Sequence, residues 1–221
     1  MAYTEAKLMA ELKLIYRKGV DENWMWEQSK DRPSVPDSTH SKHIQAGGKV
    51  VFSTLLQYCW AAYNKAHNAR GVQYIGRSFD LSSDLRKEKS NLNVDSSLLD
   101  DNTFGNILQM GKWANVVNDV WILGGINRVA SFELHSPRSK SNLWSNEYNG
   151  FVVTGREITG LLRFGYKLVG RHNGKELYVP PADAKVARNA DLEDYHLAIA
   201  LKETLGGDNG GGIADMLDHA I

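Results

Sequence analysis

The sequence predicts an α+β domain in which helices dominate the first half of the chain and strands the second half. The long apolar segment at residues 49–68 favours a central helix. Residues 166–179 contain two β-rich runs joined at Asn173-Gly174, a dipeptide typical of a tight hairpin turn. Because helical and strand-like segments are segregated along the chain, we expect a small antiparallel sheet in the C-terminal half rather than alternating βαβ units.

Chain length and composition predict one main domain followed by a flexible tail. The 221 residues are 42% hydrophobic and 24% charged, which is close to the average for globular proteins and sufficient for a core. The run GGDNGGG is typical of a flexible linker, and the amphipathic stretch IADMLDHAI follows it. We therefore expect a single domain over residues 1–205 and a glycine-tethered tail over residues 206–221.

The N-terminal residues have the pattern of an amphipathic helix. Leu8, Leu12 and Ile15 recur at helical spacing. Thr4 suits the N-cap position, and Gly19 suits the position after the last turn. A first helix is therefore expected between these two residues.

The segment between the central helix and the hairpin contains mixed signals. The glycine-bounded run GVQYIGR predicts a strand, and residues 104–120 predict one or two helices. The runs WILGGI and VASFELH are both rich in strand-forming residues, so each predicts a short strand. Gly124-Gly125 is then expected in a tight turn.

Two further helices are predicted around the hairpin. Thr154 and Glu157 have the spacing of a capping box, which satisfies free amide donors at a helix start. The helix that follows should end near Phe164, before Gly165. The apolar periodicity of residues 191–205 predicts the last helix.

The charge balance argues against nucleic acid and membrane partners. Lysine and arginine number 26, as do aspartate and glutamate, so no net field attracts a polyanion or a membrane surface. The charged run at residues 84–89 mixes both signs, as solvated faces do. No apolar run approaches the roughly 18 residues that a membrane-spanning helix needs. We therefore expect no nucleic acid ligand and no membrane span.

Cysteine content and the N-terminal sequence bear on where the protein is made. A single cysteine cannot form an internal disulfide, which is typical of a protein that folds in a reducing compartment such as the cytoplasm. The N-terminus lacks the basic lead and apolar core of a Sec-type signal. Export by machinery that needs no cleavable signal is compatible with the same sequence.

The single cysteine, Cys59, has two interpretations. The run Cys59-Trp60-Ala61 resembles the start of the catalytic helix in papain-like cysteine hydrolases, which implies a thiol activated by a histidine. Cys59 also shares one helical face with Val51 and Leu55, which predicts a buried side chain that behaves as a small hydrophobe. Both interpretations remain open.

His135 is the candidate general base. It follows the predicted strand VASFELH and precedes Ser136-Pro137, so it lies at a strand end, where active sites are frequently built. Regular alternation along a strand places Glu133 on the same face as His135, within reach to orient the imidazole. The alternative is a surface histidine beside an exposed glutamate.

Metal and cofactor motifs are absent from the sequence. His40 and His43 lack a third ligand nearby, and neither Cys-x-x-Cys nor His-Glu-x-x-His occurs. Gly124-Gly125 is not followed by the lysine of a phosphate-binding loop or by the glycine spacing of a dinucleotide site. We therefore expect neither a metal nor a cofactor.

These residues support a first hypothesis, a small hydrolase. Cys59 would attack an amide or peptide bond, His135 would accept the thiol proton, and Glu133 would orient the imidazole. A toxin or effector delivered between bacteria is one setting that fits a small protein without a Sec-type signal.

The second hypothesis is a non-enzymatic binding or structural protein. Trp24 and Trp26 are flanked by charged residues, a pattern found at partner surfaces. The tail at residues 206–221 combines a flexible tether with an amphipathic end, which suits the capture of a protein partner.

Overall fold

The structure is a computed structural model that describes residues 3–15, 49–76, 113–145 and 150–205. Contacts divide these residues into two units. The first unit contains residues 63–76, 121–145 and 150–205, and the second unit contains residues 3–15, 49–62 and 113–120. The predicted single domain over residues 1–205 stays a prediction, and the tail at residues 206–221 lies outside the described residues.

Seven helices and six strands occur in the described ranges. The helices are α1 (Glu5–Ile15), α2 (Lys49–Asn68), α3 (Trp113–Asn127), α4 (Lys140–Leu143), α5 (Val153–Arg163), α6 (Ala184–Arg188) and α7 (Leu192–Leu205). The strands are β1 (Gln73–Ile75), β2 (Phe132–Leu134), β3 (Trp144–Ser145), β4 (Gly150–Phe151), β5 (Lys167–His172) and β6 (Lys175–Val179). The α+β class and the central helix over residues 49–68 are therefore confirmed.

Four strands form a mixed sheet in the order β1-β2-β6-β5, and β3 pairs with β4 separately. Strand β6 is antiparallel to both β2 and β5, as predicted, whereas β1 is parallel to β2. Parallel neighbours need a long connection, and the chain between β1 and β2 includes α3. The sheet is therefore mixed rather than purely antiparallel.

The predicted hairpin over residues 166–179 is confirmed. Asn173 and Gly174 have φ angles of 50° and 77°, the positive values that both central residues of a type I′ turn require. The register of β5 against β6 shifts between Leu168 and Gly170, and Gly170 itself has a φ of 138°. A bulge of this kind increases the local twist and bends the strand that leads to the turn.

Helix α3 corrects one strand prediction. The run WILGGI lies inside α3, so neither a strand nor a tight turn forms there. Side chains from Val116 to Ile126 are buried on every face of the helix, which removes the periodicity that separates a helix from a strand. A Cβ on Gly124 would lie 2.5 Å from the carbonyl oxygen of Tyr63 and 2.9 Å from the Cβ of Ala66. Glycine is needed there for close helix packing.

The start of α5 corrects the capping-box prediction. Val152 is the N-cap residue and its side chain forms no capping hydrogen bond, so Thr154 is already inside the first turn. The Glu157 carboxylate instead accepts a hydrogen bond from the Gly76 amide at 2.7 Å. The predicted end of the helix is confirmed, with Gly165 at a φ of 77°.

Local hydrogen bonds explain where two other helices begin. The Lys7 amide donates to Thr4 Oγ1 at 3.2 Å, which confirms Thr4 as the N-cap of α1. The Asp194 amide donates to Asp191 Oδ1 at 2.8 Å at the start of α7. The predicted end of the first helix near Gly19 lies outside the described residues.

Candidate functional site

Strand β2 ends one residue before His135, and this position brings the imidazole beside the sheet. The His135 amide still donates to the Ile75 carbonyl at 2.9 Å, so its backbone continues the ladder with β1. His135 Nε2 lies 3.3 Å from Glu133 Oε2, which is the contact predicted from strand alternation. The side chains are 27% and 14% exposed, so the imidazole reaches solvent while the carboxylate is largely covered.

A second imidazole approaches the same carboxylate. His172 lies at the end of β5, and its Nδ1 contacts Glu133 Oε1. The side-chain amide of Asn173 donates to the same oxygen at 3.4 Å. Sequence reasoning missed His172, because the pairing of the hairpin with β2 is a long-range contact that no local pattern records.

Hydrogen bonding favours the ionised form of this carboxylate. The hydrogen bond from His172 is the largest influence, and it lowers the pKa of Glu133. Partial burial opposes this shift, and the hydrogen bond from His135 adds to the lowering. The net result is a pKa below the ordinary value for glutamate, so Glu133 is an anion that accepts at both of its oxygens.

The contacts also assign the ring nitrogens. An ionised carboxylate only accepts hydrogen bonds, so His135 Nε2 and His172 Nδ1 are the donors to Glu133. In the neutral rings, His135 Nδ1 and His172 Nε2 are then left as acceptors. Glu133 therefore sets the tautomer of both imidazoles, and each ring keeps a basic nitrogen turned away from the carboxylate.

A cavity of about 380 Å³ adjoins His135 at the end of β2. Its volume lies within the range of small-molecule sites. The polar and charged side chains in its wall are those of His135, Ser136, Arg138, Arg171, Lys175 and Glu176. Arg138 Nε contacts Glu176 Oε2 at 2.7 Å, so one of these cations is already paired with the carboxylate of β6.

Glu157 anchors α5 to the end of β1 next to this cavity. Glu157 is 3% exposed, and the hydrogen bond from the Gly76 amide joins the helix to the end of the strand. The Ser136 Oγ atom is buried and has no hydrogen-bond partner among the residues that the structure describes, and a Cβ on Gly76 would collide with it. The hydrogen bond therefore joins α5 to the chain directly after β1, and the space between Gly76 and Ser136 admits no side chain on residue 76.

Cys59 is fully buried in the second unit. Burial is the largest influence raising the pKa of its thiol, and the negative charge of Asp119 raises it further. The burial expected from the helical spacing is confirmed, and an inert structural cysteine has these properties. His135 belongs to the first unit, so the pairing of Cys59 with His135 stays a prediction.

Other sequence-based predictions fall outside the site or outside the described residues. Trp24, Trp26, His40 and His43 lie outside the described ranges, as does the C-terminal tail. Within those ranges, no group of three or more His, Cys, Asp or Glu side chains is placed to hold a metal ion. Among the same residues, none of the helices has the length and apolar character needed to cross a membrane.

Comparisons of the chain with protein-family models, with curated proteins and with solved structures found no significant match. The likeness of Cys59-Trp60-Ala61 to papain-like hydrolases therefore stays a three-residue resemblance.

Proposed function

We propose that this protein is a hydrolase in which His135 is the general base and Glu133 orients and stabilises it. The observation that supports this proposal is one carboxylate contacting two imidazoles beside a cavity. Histidine suits general acid–base chemistry because its ordinary pKa lies near neutrality. A carboxylate partner fixes the ring and stabilises the imidazolium that forms during proton transfer.

The reaction proposed is hydrolysis of an amide or peptide bond. As water attacks the carbonyl carbon, the basic Nδ1 of His135 accepts the water proton. When the tetrahedral intermediate collapses, the C–N bond breaks and a protonated imidazole donates to the leaving nitrogen, which releases a carboxylic acid and an amine. This proton is the one that His135 gained from water in the first step, so donating it to the leaving nitrogen returns His135 to its neutral form.

Water is the attacking group in this proposal because the Cys59 sulfur is poorly suited to that role. A thiol attacks as the thiolate, and burial together with Asp119 raises the pKa of Cys59. The thiol is also fully covered, so a substrate has no access to it in the described conformation. The chemistry therefore requires the His135 and Glu133 side chains and leaves Cys59 as a packing residue.

The test is hydrolysis of a panel of amide and peptide substrates, followed by mass spectrometry, with wild-type protein and two histidine variants. His135→Gln should lower the rate by about 100- to 10,000-fold, the usual contribution of a general base. His67→Gln is the matched control, because His67 is an exposed histidine of the first unit that stacks on Tyr63. Equal rates for wild type and His135→Gln would overturn the proposal.

A further inference from the structure

We infer that the cavity beside His135 binds an oxyanion, a carboxylate or phosphate group, and that substrates of the proposed hydrolase carry such a group. This inference rests on the proposed function for its substrate, but the anion site itself stands on the charge and shape of the cavity.

The described side chains of the cavity wall carry more positive than negative charge. Arg138, Arg171 and Lys175 contribute cations, whereas Glu176 contributes a carboxylate. Arg138 contacts this carboxylate through two nitrogens, with Nε at 2.7 Å and Nη2 at 3.4 Å. The Glu176 charge is thus directed at Arg138, and the charges of Arg171 and Lys175 remain in excess.

The hairpin register places these two cations in neighbouring residue pairs of β5 and β6. Arg171 pairs in register with Glu176, and Lys175 pairs with His172, so the two basic residues flank the turn on opposite strands. Both residues are exposed and both line the cavity. A guanidinium presents a planar fork of donors and an ammonium presents a compact charge, and the combination is well suited to a carboxylate or phosphate.

The anion site adjoins the acid–base residues. His135 contacts Glu133 and lines the same cavity as Arg171 and Lys175. A substrate whose anionic group is held by Arg171 and Lys175 would therefore place a nearby bond within reach of an imidazole. When a charged group outside the reacting bond is held by the protein, the reacting bond is oriented toward the catalytic side chain.

Anion binding is measured directly, without any enzymatic assay. Inorganic phosphate and acetate are titrated separately into ¹⁵N-labelled full-length protein at constant ionic strength, with sodium chloride as the reference. Saturable shifts of the Arg171 and His135 side-chain signals are expected with at least one anion. Binding of phosphate or of acetate then shows whether the site prefers a phosphate group or a carboxylate. The double variant Arg171→Gln, Lys175→Gln should weaken binding by about tenfold or more, given the strength of charge-assisted hydrogen bonds.

Lys167→Gln is the matched control, because Lys167 is an exposed lysine at the far end of the same strand and does not line the cavity. This variant should bind anions as the wild type does. An absence of saturable shifts with both anions, or equal binding by the double variant, would overturn the inference.

The activity assay separates the two proposals. If hydrolysis depends on His135 and the double variant raises KM for anionic substrates only, both proposals are supported. If the double variant leaves KM unchanged for anionic substrates and no anion binds, the inference fails while the hydrolase proposal stands. If anions bind at Arg171 and Lys175 but no amide is hydrolysed, the proposed function and the substrate assignment fail, and the anion site remains.

Discussion

At the scale of single residues, the carboxylate of Glu133 determines the chemistry of the site. It contacts His135 through one oxygen and His172 through the other. An anion in this position selects which nitrogen of each ring carries the proton, and that choice leaves a base on the far side of each ring. Replacing the carboxylate by an amide keeps the shape but removes the charge that both imidazoles share.

Glu133→Gln should reduce stability in a pH-dependent way. Hydrogen bonds lower the pKa of Glu133 in the folded protein, so the carboxylate contributes stability that is complete above its unfolded pKa, about 4.3. That contribution is lost as the pH falls through the folded pKa. The free energy of unfolding, measured by urea titration, should therefore differ between wild type and variant most at pH 6 to 7, and the difference should shrink below about pH 4. A difference that stays constant down to pH 2 would contradict this reading of Glu133.

Cys59 should behave as a structural thiol. A thiol reagent should leave Cys59 unmodified in the native protein and react with it only after unfolding, because the side chain is fully buried and its thiol pKa is raised. Cys59→Ala should retain the hydrolytic activity of the wild type. Stoichiometric labelling of the native protein, together with loss of activity in Cys59→Ala, would restore Cys59 as the nucleophile.

At the scale of elements, local patterns were predictable and long-range partners were not. The Asn173-Gly174 turn follows from residue preferences for positive φ, and the Glu133–His135 contact follows from strand alternation. The approach of His172 to Glu133 depends on which strand the hairpin joins. No periodicity in the sequence indicates that choice, so His172 could not be predicted as a partner of Glu133.

The two mistaken elements have a related cause. The WILGGI run of α3 is apolar on all faces, so its residues have the composition of a buried strand. Thr154 and Glu157 have capping-box spacing, but Glu157 forms its hydrogen bond with Gly76 instead. In both cases tertiary contacts outweigh the local signal.

Gly124→Ala tests the close packing of α3. Alanine is favoured over glycine in helices by up to about 1 kcal/mol, so the variant would be stabilising at an open position. Its Cβ would instead lie 2.5 Å from a backbone oxygen of Tyr63, which cannot rotate away. We expect a net loss of about 1–3 kcal/mol in chemical denaturation, the usual cost of overpacking. A gain in stability would show that the helices separate easily at this point.

At the scale of the whole molecule, equal numbers of positive and negative charges are compatible with a local excess of positive charge. The balance of 26 basic and 26 acidic residues predicts no nucleic acid partner, and this stays a prediction. Strand pairing nevertheless brings Arg171 and Lys175 together at one cavity. Net charge describes long-range fields, whereas a small anion responds to the few charges within a few ångströms of it.

The predicted single domain over residues 1–205 can be tested by comparing probes in the two units. Reaction of Cys59 with a thiol reagent reports unfolding of the second unit, and the His135 imidazole signal reports unfolding of the first unit. A single domain predicts coincident denaturation midpoints for both probes. Midpoints that differ beyond the error of the measurement would show that the units unfold separately, and the domain would have to be divided.

The tautomers of His135 and His172 provide the most direct measurement of the central claim, that Glu133 holds both imidazoles through defined nitrogens. Long-range ¹H–¹⁵N correlation NMR at a pH where the rings are neutral distinguishes Nδ1–H from Nε2–H. The structure predicts Nε2–H for His135 and Nδ1–H for His172 in the wild type, and loss of the Nδ1–H preference of His172 in Glu133→Gln. An Nε2–H tautomer for His172 that is the same in both proteins would contradict the account.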